Sequence, residues 1–431
     1  MDTLESGYRR HGVVDIIKDE IAYRRWWTSD DRRDGAWTLQ IDGTPVRVAS
    51  YLPYSGTTDE AGVTAPLLLY DRANPPDSIA GHMVVFTVPP FAESPFGRAP
   101  PAGYAFATEP HVPSRLATEQ FYQSNYFTRL GRLDQIARDG KAAGIVLVVD
   151  LSPGRADGLY TIPVPREPIG APGLMVDRVA GAEVIAAARV GRSATITLRA
   201  NEAPAQAYTF AGFLPGADYG TDDDEIVLMI THSDGFNLTQ DNGGFGMLGL
   251  VQYFSRSPQQ RRPRTLLLLL DPEHFTPDRH STDWFALHPE IASRIVASIG
   301  VEHLGQRDYV ETGDAFELSG APEWTTLYAQ DNDRLIDWAV AAVTEHKLPR
   351  TMIQVPARAN QGRWVGMGEV AVYRRIPGYG ITADMSAYWS TAPGIESFDA
   401  AHFRTQLKVL AQLTGHLMTA PRGEMAVGDT P

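Results

Sequence analysis

Apolar residues along this chain recur with two different periods, and the order of those periods predicts the architecture. Val13, Ile16, Ile17 and Ile21 stand near helical spacing and predict a short amphipathic helix at the start. Trp37, Leu39, Ile41, Val46 and Val48 then mark residues 37–49 as a half-buried strand. Pro and Gly punctuate residues 74–113, which predicts loops around one strand at 82–88. Residues 144–150, 174–176 and 194–198 are further β-branched runs. Between them, 128–140 and 178–190 read as helices, the second ending on Gly191 as a C′ residue. From residue 225 strands and helices alternate. The strands are expected at 225–231, 265–270, 300–304, 323–329, 352–355 and 378–382, and the helices at 243–253, 289–298, 331–345 and 400–418. The unbroken leucine run at 266–270 is the pattern of a strand buried on both faces. The expected class is therefore α/β, with a mostly parallel central sheet flanked by helices. In such sheets ligands sit beyond the carboxyl ends of the strands.

Composition narrows the function. A chain of 431 residues exceeds one simple core and predicts two or three domains. A formal charge of −14 argues against nucleic-acid binding and against anionic membranes. With no cysteine there is no disulfide framework, no thiol nucleophile and no Cys-held zinc, so a metal would need His, Asp and Glu. No apolar run is long enough to span a bilayer, and no signal peptide is visible, which predicts a cytoplasmic location. A homo-oligomer is compatible with the sequence but not specified by it.

Three expected strands end in metal-ligand residue types. The first runs into His232-Ser-Asp234, followed by Asp241-Asn-Gly-Gly; the second into Asp271-Pro-Glu273-His274; the third contains Glu302-His303. Imidazole with carboxylate suits Zn²⁺, and Mn²⁺ less well. This order resembles the M28 family of zinc aminopeptidases. The resemblance implies a phosphorylase/hydrolase-like fold in which His232 and Asp241 bind metal. It also implies that Asp234 orients His232, that Glu273 is the general base, and that Glu302 stands for a later Asp ligand. His274 stands where the family has a second Glu ligand. Met385 stands where the family's last His is expected, so one zinc is favoured at least as much as two. His303, His280 and Asp384 are additional candidates for the site.

The phrase Asp139-Gly-Lys-Ala-Ala-Gly-Ile-Val-Leu-Val-Val, followed by Ile169-Gly-Ala-Pro-Gly-Leu-Met-Val, resembles a PA (protease-associated) domain. The expected division is a catalytic domain at 1–75 and 206–431 with a β-rich PA-like insert at 76–205. The implied function is a metal-dependent hydrolase of an amide or peptide-type bond acting on a peptide or small molecule. A single-zinc lyase or cyclase and a catalytically inactive binding protein stand as alternatives.

Competing motifs carry less. Gly244-x-Gly246-x-x-Gly249 matches a dinucleotide-binding pattern, but a long loop separates it from the preceding strand, so close helix packing is the better reading. There is no Gly-x-Ser-x-Gly elbow and no P-loop. Isolated His11, His82, His111, His346, His402 and His416 read as packed or surface residues, and His288 as part of a helix start. Trp364, Tyr379, Tyr388 and Trp389 are candidates for a pocket wall or for core, and no role is assigned to Arg363 or Glu369.

Overall fold

Strict alternation of side chains across a sheet lets one apolar strand feed two cores at once. In the strand Thr265–Asp271, Leu266, Leu268 and Leu270 enter the core on one face, and Leu267 and Leu269 the core on the other. Val227 and Met229 of Ile226–His232 follow the first group, and Ile226, Leu228 and Ile230 the second. Each fully buried leucine is worth roughly 1.5–3 kcal/mol relative to exposure, which makes these strands the anchor of the sheet.

This computed structural model describes residues 1–29, 31–88, 103–109, 133, 135–160, 169–274, 281–359, 364–383 and 390–427. Its larger sheet has nine strands, in the order Val14–Thr28, Ala200–Leu214, Thr265–Asp271, Ile226–His232, Ile295–Val301, Gly378–Ala383, Thr325–Ala329, Thr351–Gln354 and Tyr104–Ala107. The third to sixth of these run parallel, and antiparallel pairs flank them. Helices Asp2–Arg10, Gly243–Phe254, Asp333–Glu345 and Ala400–Thr419 cover one face. Trp284, Phe285, Ile291, Met367 and Val370 cover the other.

Two expectations shift. The spacing of residues 13–21 predicts a helix, yet in this region only Asp2–Arg10 is helical, and Val14–Thr28 is a long strand paired with Ala200–Leu214. Gly12, at φ +86°, ends the helix, and β-branched Ile16 and Ile17 fit the pleat beyond it. Similarly, the expected helix at 289–298 stops at Ala292, and Ile295–Val301 is a strand buried along its whole length. Its parallel neighbours on both sides override helical spacing. A hairpin, Arg307–Thr312 with Ala315–Pro322, carried no clear pattern because its faces are largely open.

Among the described residues a second sheet has eight strands, in the order Thr44–Val46, Trp37–Ile41, Ser193–Leu198, Val63–Leu69, Met83–Val88, Gly144–Val149, Gly173–Val176 and Ser50–Tyr51. The expected boundary at 75/76 falls inside this sheet, between two strands that pair in parallel. The chain enters it along Val14–Thr28 and leaves along Ala200–Leu214, so one antiparallel ribbon carries both crossings. Helix Arg178–Arg189 packs on this sheet and is followed by Gly191 at φ +67°, as its C-terminal signal predicts.

His402, in helix Ala400–Thr419, is buried beside Asp399 and Arg350. Burial, opposed by Asp399 and reinforced by Arg350, pulls its pKa from 6.5 to about 4. Above pH 6.5 neither state takes up this proton, so the full stability is present there; as pH falls toward 4, only the unfolded chain does, and stability is lost. Urea unfolding between pH 7 and 4 should show this contribution, up to about 3 kcal/mol, and a His402→Gln variant should show a flatter profile over the same range.

Candidate metal centre

The parallel register decides what meets at the sheet's carboxyl edge. His232 closes its strand directly opposite Asp271 of the neighbouring strand, and Val301, the last residue of the next strand, pairs with Ile381. Glu302 and His303 follow Val301 immediately, and Thr382 follows Ile381, so these side chains share one end of the sheet.

The inner faces of two imidazoles and one carboxylate converge there. His232 Nε2 lies 3.3 Å from His303 Nε2, and Glu302 Oε2 lies 3.8 Å from each. All three residues are at least 98% buried. Two nitrogens about 2.05 Å from a tetrahedral zinc lie about 3.3 Å apart, so the imidazole pair has the separation that ion requires. Glu302 Oε1 accepts from the Met367 backbone N–H, while Oε2 has no hydrogen-bond partner among the described residues. A buried carboxylate oxygen left in that state is costly unless something positive faces it. The donor set and its spacing thus fit a zinc ion.

The outer nitrogens are also engaged. His232 Nδ1 lies 3.1 Å from Asp234 Oδ1, which also lies 3.5 Å from His274 Nδ1. The His232 and His274 rings stack with centroids 4.4 Å apart. His303 Nδ1 lies 2.7 Å from Thr382 Oγ1. Among the described residues two groups could hold a cation: His232, Glu302 and His303, and His232, Asp234 and His274. Both use His232, from opposite sides of its ring.

Backbone geometry sustains this arrangement. His303 adopts φ +52°, a left-handed conformation that costs a non-glycine residue about 1–3 kcal/mol. Asn242, at the start of helix Gly243–Phe254, holds the turn by donating to Leu304 O and accepting from Leu304 N at 2.9 Å. Gly305 N donates to Gln406 Oε1 at 2.7 Å. A Cβ on Gly243 would strike Thr231 Oγ1 and Val301 O, and one on Gly246 would meet Leu304 Cδ1 at 2.5 Å. The glycines of the 243–249 stretch therefore serve close packing under the site.

Electrostatics follow from the crowding. Burial disfavours the His232 cation, but Asp234, Glu302 and Asp241 outweigh it and push the pKa up to about 9. His303 is held well below its ordinary value by burial and by the neighbouring imidazoles. Burial raises Glu302, whereas for Asp234 the two imidazoles overcome burial and lower it. Asp241 lies at the surface, yet packing around its carboxyl removes enough water to push it up to about 6.

Of the expected site residues, His232, Asp234, His274 and Glu302 come together, joined by His303. Asp241 belongs to neither candidate group; its Oδ1 accepts from Gly235 N at 3.3 Å and closes the intervening loop. Glu273 stands beyond Asp271, its backbone N–H donating to Asp271 Oδ1 at 2.8 Å. His280, Asp384, Met385, Arg363, Tyr388 and Trp389 lie outside the described residues. Tyr379 is core, donating to Leu335 O at 2.8 Å, and Trp364 is buried in a stack on Tyr328. His288 is held by Asp19 at 2.8 Å, away from these groups. Thr382 and the Met367 N–H carried no signal in the sequence, because each acts only through a strand or turn distant along the chain.

Solved structures share this fold along the full length of the chain. An aminopeptidase from Aneurinibacillus sp. strain AM-1 superposes with a TM-score of 0.59, at 12% identity, over 100% of this chain and 90% of its own. BSAP, a zinc aminopeptidase from Bacillus subtilis, gives 0.60 at 12% identity, over 100% and 91%. A peptidase M28 precursor from Shewanella amazonensis SB2B gives 0.66 at 12% identity, over 100% and 89%. No family model and no curated protein sequence matches the chain. The chain has the α/β fold of M28-type zinc aminopeptidases, and at this identity the likeness speaks for the fold alone.

Gly366, at φ +85°, lets the 366–369 turn approach Glu302: an added Cβ would lie 2.5 and 2.6 Å from its carboxylate oxygens. Gly366→Ala should lower stability by about 1–3 kcal/mol in urea unfolding and displace Glu302. A variant as stable as the parent would contradict this packing.

Proposed function

We propose that this chain is a metal-dependent hydrolase of amide bonds of the peptide type, with one zinc ion held by His232, Glu302 and His303. The convergence of two imidazole Nε2 atoms and one buried carboxylate oxygen at the sheet's carboxyl edge carries this reading. His274 and Asp241, which the family resemblance also made ligands, take other parts. His274 stacks on His232 and shares Asp234, and Asp241 adds negative charge near His232.

One zinc fits better than two on this ligand set. A carboxylate can only accept, so Asp234 holds the proton of His232 on Nδ1 and leaves Nε2 as the lone-pair donor. His232 then serves one cation, on its Nε2 side. When bound, zinc polarises a carbonyl and makes water easier to deprotonate. Glu273, on the loop leaving the strand beside His232, takes the proton of the attacking water on its carboxylate and returns it to the leaving nitrogen. The eight-stranded unit, read as PA-like, borders the loop that leaves His232: Tyr160 and Phe236 pack with ring centroids 4.5 Å apart. The substrate is a peptide or an amino-acid conjugate with an amide bond.

Elemental analysis of purified protein should find about one zinc per chain, and His232→Ala should lose it. Glu273→Gln should keep the metal and lose about 10²–10⁴-fold in turnover of a panel of aminoacyl amides and N-acyl amino acids. A chain that takes up no zinc after reconstitution would overturn the proposal. One that binds zinc but turns over no amide would be a binding protein on the same scaffold.

A further inference from the structure

We infer that Thr382 is the positioning residue that aims His303 at the cation, and that its hydroxyl lets the same pair of histidines stay satisfied without metal. The inference rests on the proposed metal centre. It adds a residue that neither the ligand set nor the fold assigns.

The two imidazoles face each other through Nε2, but their outer partners differ in kind. His232 Nδ1 looks to the Asp234 carboxylate at 3.1 Å, and His303 Nδ1 looks to the Thr382 hydroxyl at 2.7 Å. Asp234 only accepts, so a neutral His232 keeps its proton on Nδ1 and presents a lone pair at Nε2. A hydroxyl both donates and accepts. It can therefore serve either neutral tautomer of His303, and which tautomer is present depends on what the other ring nitrogen meets.

With no cation and with His232 neutral, Thr382 O–H donates to His303 Nδ1, and His303 Nε2–H donates across 3.3 Å to His232 Nε2. With a cation, the proton sits on His303 Nδ1 and is donated to Thr382 Oγ1, and both Nε2 lone pairs point inward. The exchange moves one proton from Nε2 to Nδ1 of the same ring through solvent, and His303 stays neutral throughout. Two imidazoles with carboxylate partners would meet lone pair to lone pair without metal, whereas this pairing gives a preassembled site.

The surroundings hold both residues in place. Thr382 and His303 are each 2% exposed. The His303 backbone is fixed in its left-handed turn by the Asn242–Leu304 bonds, and Thr382 is held in the sheet opposite Thr326.

The test compares Thr382→Val, which keeps shape and removes the hydroxyl, with Thr382→Ser, which keeps the hydroxyl and removes the methyl. Zinc affinity is read by competition with a chromophoric chelator, and ligand geometry by the visible spectrum of the Co²⁺ form. The valine variant should bind zinc about 10–100-fold more weakly with an altered cobalt spectrum, and serine should restore both. Zinc affinity and cobalt spectrum unchanged in the valine variant would overturn the inference. So would equal losses in the valine and serine variants, which would make the methyl's packing the cause. If the valine variant does not fold, Thr382→Ala against Thr382→Ser gives the same contrast. A parent chain that binds neither zinc nor cobalt would remove the metal centre itself, and this inference with it. A parent that loads normally beside a valine variant that loads equally well removes the inference alone.

Discussion

The backbone ladder joining four parallel strands is the constraint on which this molecule depends. Its register places His232 opposite Asp271 and Val301 beside Ile381, so four chain segments release their side chains at one edge. Parallel pairing requires crossovers, and the helices that make them bury the sheet on both faces. That explains why the strands beneath the site are almost purely aliphatic. It also explains the polar residues at their ends, where cover by helices stops and backbone direction changes.

Burial of the site's polar groups follows from the same geometry. Glu302 and His303 lie one and two residues beyond a strand that has no exposed position, and they inherit its desolvation. Removing water from a carboxylate and two imidazoles raises the energy of every uncompensated charge. The protein answers part of this with fixed partners: the Met367 N–H for one oxygen of Glu302, Asp234 for His232 and Thr382 for His303. The remaining oxygen of Glu302 and the inward-facing nitrogens define a point where positive charge is stabilised. Strain at His303 and the near-contacts at Gly243 and Gly366 are local costs of bringing that point together, balanced by the aliphatic core below.

The eight-stranded sheet is tied to this edge in two ways. Its loop brings Tyr160 onto Phe236, four residues beyond His232. The hairpin that follows the His303 turn places Glu311 where it accepts from Ser152 N at 2.6 Å and from Arg155 and Arg178. The loops at this edge and the second sheet are thereby packed as neighbours, with the antiparallel ribbon carrying the chain between them.

The sequence by itself determined the parts governed by local pattern. Aliphatic runs located most of the strands buried along their length, though not the partly buried Ala200–Leu214 or Val63–Leu69, Gly191 marked a helix end, and His232, Asp234, His274 and Glu302 stood out as candidates because each lies just past such a run. Tertiary structure decided the rest. Val14–Thr28 and Ile295–Val301 became strands because partners distant along the chain hydrogen-bond to them. Asp241 stands outside the converging group, its carboxylate closing a loop onto Gly235, and His303 enters that group because a left-handed turn swings its ring toward His232. Thr382 and the Met367 N–H entered through strand register and a glycine turn. Periodicity records how a segment meets a core. Which side chains face one another across it depends on register and on the sign of φ, and neither is written in local pattern.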